Sequence, residues 1–539
     1  MRLALFYQNA MFNIQSTIML PRFFFDDAVS MFSRKTYLGQ YLLANVFTTS
    51  ILHKPSPALC HKGDAMPLEM NKPFSWKKAL EGADDNALAG TAMLNDLQGN
   101  ILKSHGRMHS VNMFLAFDPD RREQALTFIR QIGREVTSSM HQLITTDLFK
   151  AGQTNSGPYI GFFLTSKGYD VLRKEEAKPE DDAFRQGMDG RPLGDPNRER
   201  WDPTFTRNIH ALLILAADNE ERQKELHKIY QNRINDTDAA VEEIGWEIGS
   251  PQLNDDGNPL EHFGYVDGRS QPLALVEDIE REKNENGGIG KWDPSIPLNQ
   301  LLVRCPGGQS DLSFGSYFVF RKLEQNVKGF KEAEKELGHT LGDIDERAGA
   351  SVVGRFENGT PVAKFDDEQP VKVRGNAGVL NNFNYTGDED GLKCPFAAHI
   401  RKTNPRSDEK NSKSMLMARR GVTYGNRTDG PNDDNMDTKP TTNVGLLFMA
   451  YQSSIENQFE ATQTRANKPI FNEHHTGIDP VIGVAVIENA GLTKDDQNKQ
   501  IYPKIWGKEL SKPTEFFGFV KMKGGEYFFA PSISFLRSI

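Results

Sequence analysis

Apolar side chains fall in short blocks along this chain, and the blocks come in an order that is then repeated. Val111 to Phe117 reads as a strand, and Asp118-Pro119-Asp120 reads as a helix start. From Arg121 to Val136, the residues Ala125, Leu126, Phe128, Ile129 and Ile132 recur at helical spacing. Tyr159 to Leu164 and His210 to Ala216 are apolar runs of strand length, Asn219 to Tyr230 reads as a helix, and Val241 to Ile248 closes the set. Strand, helix, strand, then strand, helix, strand is the split βαβ order of a ferredoxin-like domain.

The order returns further on. Ser316 to Arg321 is a predicted strand, Lys322 to Leu337 a charged helix, Gly445 to Tyr451 a strand and Ser454 to Ala466 a helix. Phe519 to Met522 and Glu526 to Phe529 are predicted to form a hairpin across Lys523-Gly524-Gly525, since glycine supplies the positive φ of such turns. The expected fold class is therefore α+β, with two ferredoxin-like domains built on antiparallel sheets. Their expected spans are 91–300 and 301–539, behind an N-terminal extension over 1–90, with regular structure beginning near Asp96. Pro294, Pro297 and Pro306-Gly307-Gly308 mark the junction as irregular. Two long irregular stretches remain, 249–310 between the halves and about 340–443 inside the second. Segments of that length in a compact domain are more often functional than idle.

Composition narrows the function. The 64 Lys+Arg against 73 Asp+Glu give a net charge of −9, which argues against a nucleic-acid partner. Only three cysteines occur (Cys60, Cys305 and Cys394), with no CxxC pair, so thiolate zinc sites, iron–sulfur clusters and c-type haem attachment find no support. Sparse cysteine suits a reducing compartment, and a cytoplasmic location is expected. Residues 1 to about 65 hold Phe23-Phe24-Phe25 and an uncharged run from Tyr37 to Leu52. That run is shorter and more polar than the roughly 20 apolar residues of a spanning helix, so no membrane anchor is expected. Its charged and apolar parts lie far from the start for an export signal, the alternative reading.

Four motifs carry candidate chemistry, and each alone has a bland explanation. Gly264-Tyr265-Val266-Asp267-Gly268-Arg269-Ser270 puts a carboxylate between glycines, which by itself is a turn. Cys394-Pro395-Phe396-Ala397-Ala398-His399, followed by Ile400-Arg401-Lys402-Thr403-Asn404-Pro405-Arg406, sets a histidine between a small apolar run and a cationic cluster. A haem site asks for that combination, one axial nitrogen in an apolar slot with cations nearby. Met417-Ala418-Arg419-Arg420-Gly421-Val422-Thr423-Tyr424-Gly425 and Gly445-Leu446-Leu447-Phe448 read in isolation as a surface turn and a buried strand.

Taken together, in the order carboxylate, histidine, arginine, apolar strand, they resemble the dye-decolorising peroxidase family. The resemblance rests on GYVDG at 264–268, AHIRKTNPR at 398–406 and RRGVTYG at 419–425. DLQGNILKSHGR at 96–107 and YFFAPSISFL at 527–536 resemble the family's boundaries, so about 90–539 is covered. Thr423 stands where many relatives have Pro or Ser. The resemblance implies one haem b per chain, bound in the C-terminal half near the interface, with His399 as the axial ligand of the iron. It places Asp267 and Arg419 on the peroxide side, Arg419 rather than Arg420 because it lies four residues before Thr423. Gly268, Arg269, Ser270, Asn404, Pro405 and Arg406 are implied haem contacts, Arg406 as the partner of a propionate, and Leu446 and Phe448 as apolar pocket residues. The second nitrogen of such a histidine normally donates to an acid or a carbonyl. Asp479, in Thr476-Gly477-Ile478-Asp479-Pro480, is the candidate, with Glu473 its rival.

The implied activity is reduction of hydrogen peroxide and oxidation of phenolic or dye-like aromatic donors through a ferryl intermediate. No nucleic-acid or membrane partner is expected, and monomer and homo-oligomer both stay open. Bulky donors would be oxidised at a surface aromatic, with Trp201, Trp246, Trp292, Trp506 and Tyr451 as candidates. The alternative is a haem-handling or iron-release protein with incidental peroxidase activity. A third class, a two-domain ligand-binding module without haem, would leave the His399 cluster unexplained.

Overall fold

The strands of the first half form where the apolar blocks place them. The computed structural model describes residues 68–152, 157–285, 287–342, 345–370, 380–427, 429–430, 433, 435–471, 473–485 and 493–539, and Leu68 to Ile539 is one unit. The expectations for residues 1–65 lie outside the described residues. Ten strands make the main sheet: β1 (His109–Phe117), β2 (Tyr159–Leu164), β3 (Ala211–Ala217), β4 (Val241–Gly249), β5 (Val303–Arg304), β6 (Phe314–Gln325), β7 (Ala418–Arg419), β8 (Val422–Tyr424), β9 (Gly445–Gln452) and β10 (Val520–Ala530). β2 and β3 are buried at every residue, which explains their unbroken apolar runs. The helix Arg122–Gly133 buries Ala125, Leu126, Phe128, Ile129 and Ile132, the face its spacing predicts.

The first half is ordered β4-β1-β3-β2 and the second β10-β6-β9-β8, all antiparallel. In both halves the fourth strand lies beside the first, then the third, then the second, so the chain is α+β with the ferredoxin-like order used twice. β10 and β2 join the halves, with Phe529 opposite Leu164. The sheet then curls until its outer ends touch. Ser250 N–H donates to Thr423 O (2.9 Å), and the Thr423 hydroxyl donates to Ser250 O (2.8 Å). Gly249 makes this closure possible, because a Cβ there would sit 2.5 Å from Val422 Cγ1. The chain leaving β4 is thereby laid against β8. No helix among the described residues is long and apolar enough to cross a membrane.

Three expectations need correction. Regular structure begins before Asp96, with helices Trp76–Glu81 and Asp85–Asp96 capped by Ser75 and Asp84. The second buries Ala87, Ala89 and Gly90 among others, and small residues carry little hydrophobic signal. Lys322 to Gln325 belong to β6 and not to the following helix, which runs from Val327 to Leu341 behind an Asn326 cap. Lys322 can stay in a strand because Glu247 (2.7 Å) and Asp202 (2.9 Å) neutralise it. Finally, 519–529 is no hairpin: β10 runs through Gly524 with a bulge opposite Lys322. Gly524 has φ 146° and its Cα faces Phe205, 2.2 Å from where a Cβ would stand, so glycine here serves a close approach rather than a reversal. Gly524→Ala is expected to destabilise the protein by about 1–3 kcal/mol through overpacking. An unchanged denaturant midpoint would remove this account of the bulge.

Candidate active site

Beyond β4 the chain makes a small ladder, Gln252–Leu253 against Pro259–Leu260, and enters the glycine-flanked turn. Gly264 (φ 105°) and Gly268 (φ 75°) adopt backbone conformations that disfavour other residues, so the turn is sharp at both ends. Asp267 N–H donates to Pro259 O (2.9 Å), and Gly268 N–H donates to Asp267 Oδ1 (2.6 Å). The carboxylate is thus fixed at the tip, with Oδ2 left for other work. Ser270 follows, also with positive φ (64°).

The two arginines of the third motif part ways. Arg419, in β7 opposite Ala450 of β9, donates through its backbone N–H to Gln271 Oε1 (3.1 Å) and through Nη2 to Arg269 O (2.7 Å). It is tied directly to the Asp267 turn. Arg420 uses Nε, Nη1 and Nη2 on the carbonyls of Asn100 (2.7 Å), Arg419 (2.8 Å) and Ile101 (2.9 Å). Burial pushes its guanidinium down to about 10. Arg420 is a structural clamp on the DLQGNIL segment.

His399 opens a helix of only five residues, His399–Thr403, too short to hold itself. Its neighbours anchor it. Arg401 is fully buried and pairs with Asp388 (2.8 Å) and Asp408 (2.7 Å), and Lys402 Nζ donates to Gly477 O (2.7 Å). His399 Nδ1 lies 2.9 Å from Asp479 Oδ2. Asp479 is completely buried, and its Oδ1 accepts the N–H groups of Val481 (2.8 Å) and Ile482 (3.0 Å). Burial alone would raise this carboxyl. The charge and hydrogen bond of His399, with the two amides, outweigh it and hold the group below the usual carboxylate range. An ionised Asp479 makes Nδ1 the donor, so that when the ring is neutral the lone pair lies on Nε2. Glu473, the rival, is exposed.

A cavity of about 730 Å³ brings these pieces together. Asp267, Gly268, Arg269, Ser270, His399, Asn404, Arg406, Arg419, Leu446 and Phe448 all line it. Pro405 and Asp479 stand behind the wall. Leu446 and Phe448 are alternate residues of β9, opposite Leu323 and Arg321, so they share one face of the sheet. Phe448 contacts Phe459 (centroids 5.9 Å apart), which belongs to a π-helical turn, Ile455–Glu460. Sequence reasoning missed Phe459, Glu261 and Arg355, which also line the cavity. Nothing in the pattern around Gly354-Arg355-Phe356 marks a site, since Arg355 is a buried cation in a chain region of ordinary turn composition.

The profile described as "Dyp-type peroxidase, C-terminal" matches residues 295–474. The chain is 40% identical over 493 residues to the multifunctional dye peroxidase DyP2 of an Amycolatopsis species, covering 88% of this chain and 100% of that protein. The chain belongs to the dye-decolorising peroxidase family. The solved structure of DyP2 superposes with a TM-score of 0.79 over 87% of this chain and all of DyP2. The DyP-type peroxidase of an Anabaena species, 36% identical, gives 0.77 over 89% of this chain and all of its own. A more distant likeness, 27% over 217 residues, is to the deferrochelatase of Shigella sonnei, covering 40% of this chain and 42% of that protein.

Dye-decolorising peroxidases are haem enzymes, and the residues here suit that cofactor. The cavity has the size of a small-molecule site. Arg269 Nε and Asn404 Oδ1 are buried in its wall without a hydrogen-bond partner among the described residues. Arg355 and Arg406 bond to neutral oxygens: Arg355 Nη1 to Gly359 O and Leu380 O (both 2.8 Å), Arg406 Nη1 to Asn381 O (2.8 Å) and Phe383 O, and Arg406 Nη2 to Ser270 Oγ (2.7 Å). Burial, with the like charges of Arg406 and Arg269, pushes Arg355 down to about 9, and burial takes Arg406 down to about 10. A group carrying two carboxylates would relieve this crowding of cations.

The surface-aromatic candidates sort by burial. Tyr451 is fully buried, and Trp201 and Trp292 are buried, so these three are not surface side chains, while Trp506 is half-buried. Tyr451 lies on the inner side of β9, where its ring meets Phe318 (4.8 Å). Trp246, on edge strand β4, is 50% exposed. Asp479→Asn is expected to weaken haem retention about 10- to 100-fold, measured by titrating the apoprotein. Wild-type affinity in that variant would deny Asp479 its role.

Proposed function

We propose that the chain holds one haem b in this cavity, whose iron His399 Nε2 would hold, and reduces hydrogen peroxide while oxidising phenolic or dye-like aromatic donors. The observation that carries this reading is the His399–Asp479 pair at the cavity wall (2.9 Å). An imidazole that donates through Nδ1 to an ionised carboxylate is a strong nitrogen ligand with a fixed orientation. In this reading residues 91–300 supply Asp267, and residues 301–539 supply His399 and Arg419.

Haem, when bound, supplies the redox chemistry on peroxide; the chain's own groups move the proton and hold charge. Peroxide must lose a proton from one oxygen and gain one on the other before its O–O bond can part. Asp267 Oδ1 is occupied by Gly268 N–H, which leaves Oδ2 to take that proton and return it. Arg419, clamped through Nη2 to Arg269 O, presents positive charge to the departing oxygen. Leu446 and Phe448 keep water from the proton transfer. Gly268, Arg269, Ser270, Asn404 and Arg406 contact the cofactor, with Pro405 shaping the turn that delivers Arg406. Donors too bulky for the cavity give up electrons at Trp246, which alone among the five sequence candidates is well exposed. Buried free thiols at Cys305 and Cys394 support the cytoplasm as the compartment.

The distant likeness to a deferrochelatase favours a second reading, haem handling with incidental peroxidase activity. A carrier needs neither Asp267 nor Arg419 at its cavity wall, which supports chemistry over carriage.

The wild-type chain supplied with haem is expected to show a Soret band, and His399→Ala to shift it as the axial nitrogen is lost. Absence of the band, or an unchanged spectrum in the variant, refutes the proposal. With the spectrum retained, Asp267→Asn is expected to slow the peroxide reaction about 10²- to 10⁴-fold and Arg419→Leu about 10²- to 10³-fold. Stopped-flow mixing with peroxide measures both, and wild-type rates would return the chain to the carrier reading. Trp246→Phe should lower turnover of a bulky dye while sparing a small phenol; equal retention of both would discard the surface route.

A further inference from the structure

One half-buried carboxylate in the cavity wall has no part in the chemistry above. Glu261 lies six residues before Asp267, and both its oxygens face donors. Oε1 accepts Tyr265 N–H (2.9 Å), and Oε2 accepts Phe263 N–H (2.9 Å) and the side-chain amide of Gln325. Its backbone is committed too: Glu261 N–H donates to Tyr265 O (3.0 Å) and Gly264 N–H donates to Glu261 O (3.0 Å). Five hydrogen bonds therefore converge on this residue, four of them closing the loop 261–265 on itself.

The fifth reaches outside. Gln325 is the last residue of β6, and its N–H donates to Val444 O (2.8 Å) just ahead of β9. Two residues back in β6, Leu323 stands opposite Leu446 of β9. The Glu261–Gln325 bond thus connects the loop leading to Asp267 with the strands that carry the apolar pocket residues. We propose that Glu261 is a positioning residue for Asp267, holding the Asp267 turn in register with the sheet so that the carboxylate meets peroxide at a fixed place. The inference rests on the reading of Asp267 as the proton carrier.

The energetics agree with such a role. Burial pushes the Glu261 carboxyl up to about 7 even though the amides of Phe263, Tyr265 and Gln325 favour its anion, and the charge of Asp267 adds to the rise. A half-buried carboxylate beside another carboxylate is unfavourable for stability, and the three N–H groups that face its oxygens offset that cost. Tyr265 is anchored separately, its hydroxyl donating to Glu334. The loop therefore has a second attachment when Glu261 is altered.

The test uses the haem-loaded full chain and two probes, hydrogen peroxide and hydrogen cyanide. Hydrogen cyanide must lose its proton on binding iron, so its association rate reads the placement of the base without turnover. Glu261→Gln is expected to slow both reactions about tenfold to a hundredfold, the scale of a misplaced group. Haem stoichiometry, Soret position and the KM for a small phenol should stay at wild-type values. Gln325→Leu, which removes only the outward bond, should act in the same direction. In an Asp267→Asn background, Glu261→Gln should cost less than about twofold, because coupled residues are not additive. Wild-type cyanide and peroxide rates in Glu261→Gln, or a penalty that adds in full to that of Asp267→Asn, overturn the inference. If Asp267→Asn is itself as fast as wild type, the assignment of Asp267 fails and this one with it; a slow Asp267→Asn beside a fast Glu261→Gln removes this one alone. Should Glu261→Gln not accumulate as holoprotein, Gln325→Leu decides by the same criteria.

Discussion

A single hydrogen bond, from His399 Nδ1 to Asp479 Oδ2, sets what the cavity can do. Asp479 has no access to water, so its charge has to be balanced inside the protein. Two backbone amides take one oxygen and the imidazole takes the other. That arrangement selects the tautomer and aims the remaining nitrogen, but only if the imidazole is delivered to the right place. Delivery falls to residues that never reach the cavity. Arg401 is clamped between Asp388 and Asp408, with its guanidinium over Tyr385 and Phe396 (4.4 Å to each ring). The cationic cluster after His399 therefore divides: Arg401 and Lys402 hold the short helix, while Arg406 lines the cavity.

The opposite wall is placed by the closing of the sheet. β4 and β8 stand at the two ends of the strand order, and the bonds between Ser250 and Thr423 bring them together. The Asp267 turn leaves from one end and Arg419 immediately precedes the other, so closure puts an acid and a cation on the same rim. Arg419 then seals the contact by donating to Arg269 O. Thr423 contributes both its carbonyl and its hydroxyl to this seam.

Much of this was legible in the sequence, for identifiable reasons. β2 and β3 are apolar at nearly every position, and a run of strand length with no polar interruption has few other uses. The two ferredoxin-like halves followed from the order of such runs. The Asp267 turn was visible because glycines mark both of its ends, whereas the sequence left Asp479 as candidate partner of His399 with Glu473 as rival, and the hydrogen bond to Asp479 needed the fold to be seen. What stayed hidden depended on contacts distant in sequence. Gly524 reads as a turn residue until Phe205, which needs its missing side chain, is seen across from it. Lys322 looks like helix surface until Glu247 and Asp202 appear beside it. Tyr451 was a surface candidate because a tyrosine at a strand end carries no sign of which face it takes.

Arg355 shows why such residues escape and why they matter. Its nearest charged neighbours are arginines, and burial among them depresses its guanidinium to about 9. Hydrogen bonds to Gly359 O, Leu380 O and Asn381 Oδ1 satisfy its donors without neutralising it. A buried cation satisfied only by dipoles keeps its field, and here Arg269 and Arg406 add theirs to the same wall. The like charges oppose folding and favour an anion, so a ligand carrying two carboxylates would offset on binding what these cations cost the fold. Charge at this wall and the geometry of the His399–Asp479 pair are separate constraints on what the cavity can hold, and each is written in a different motif.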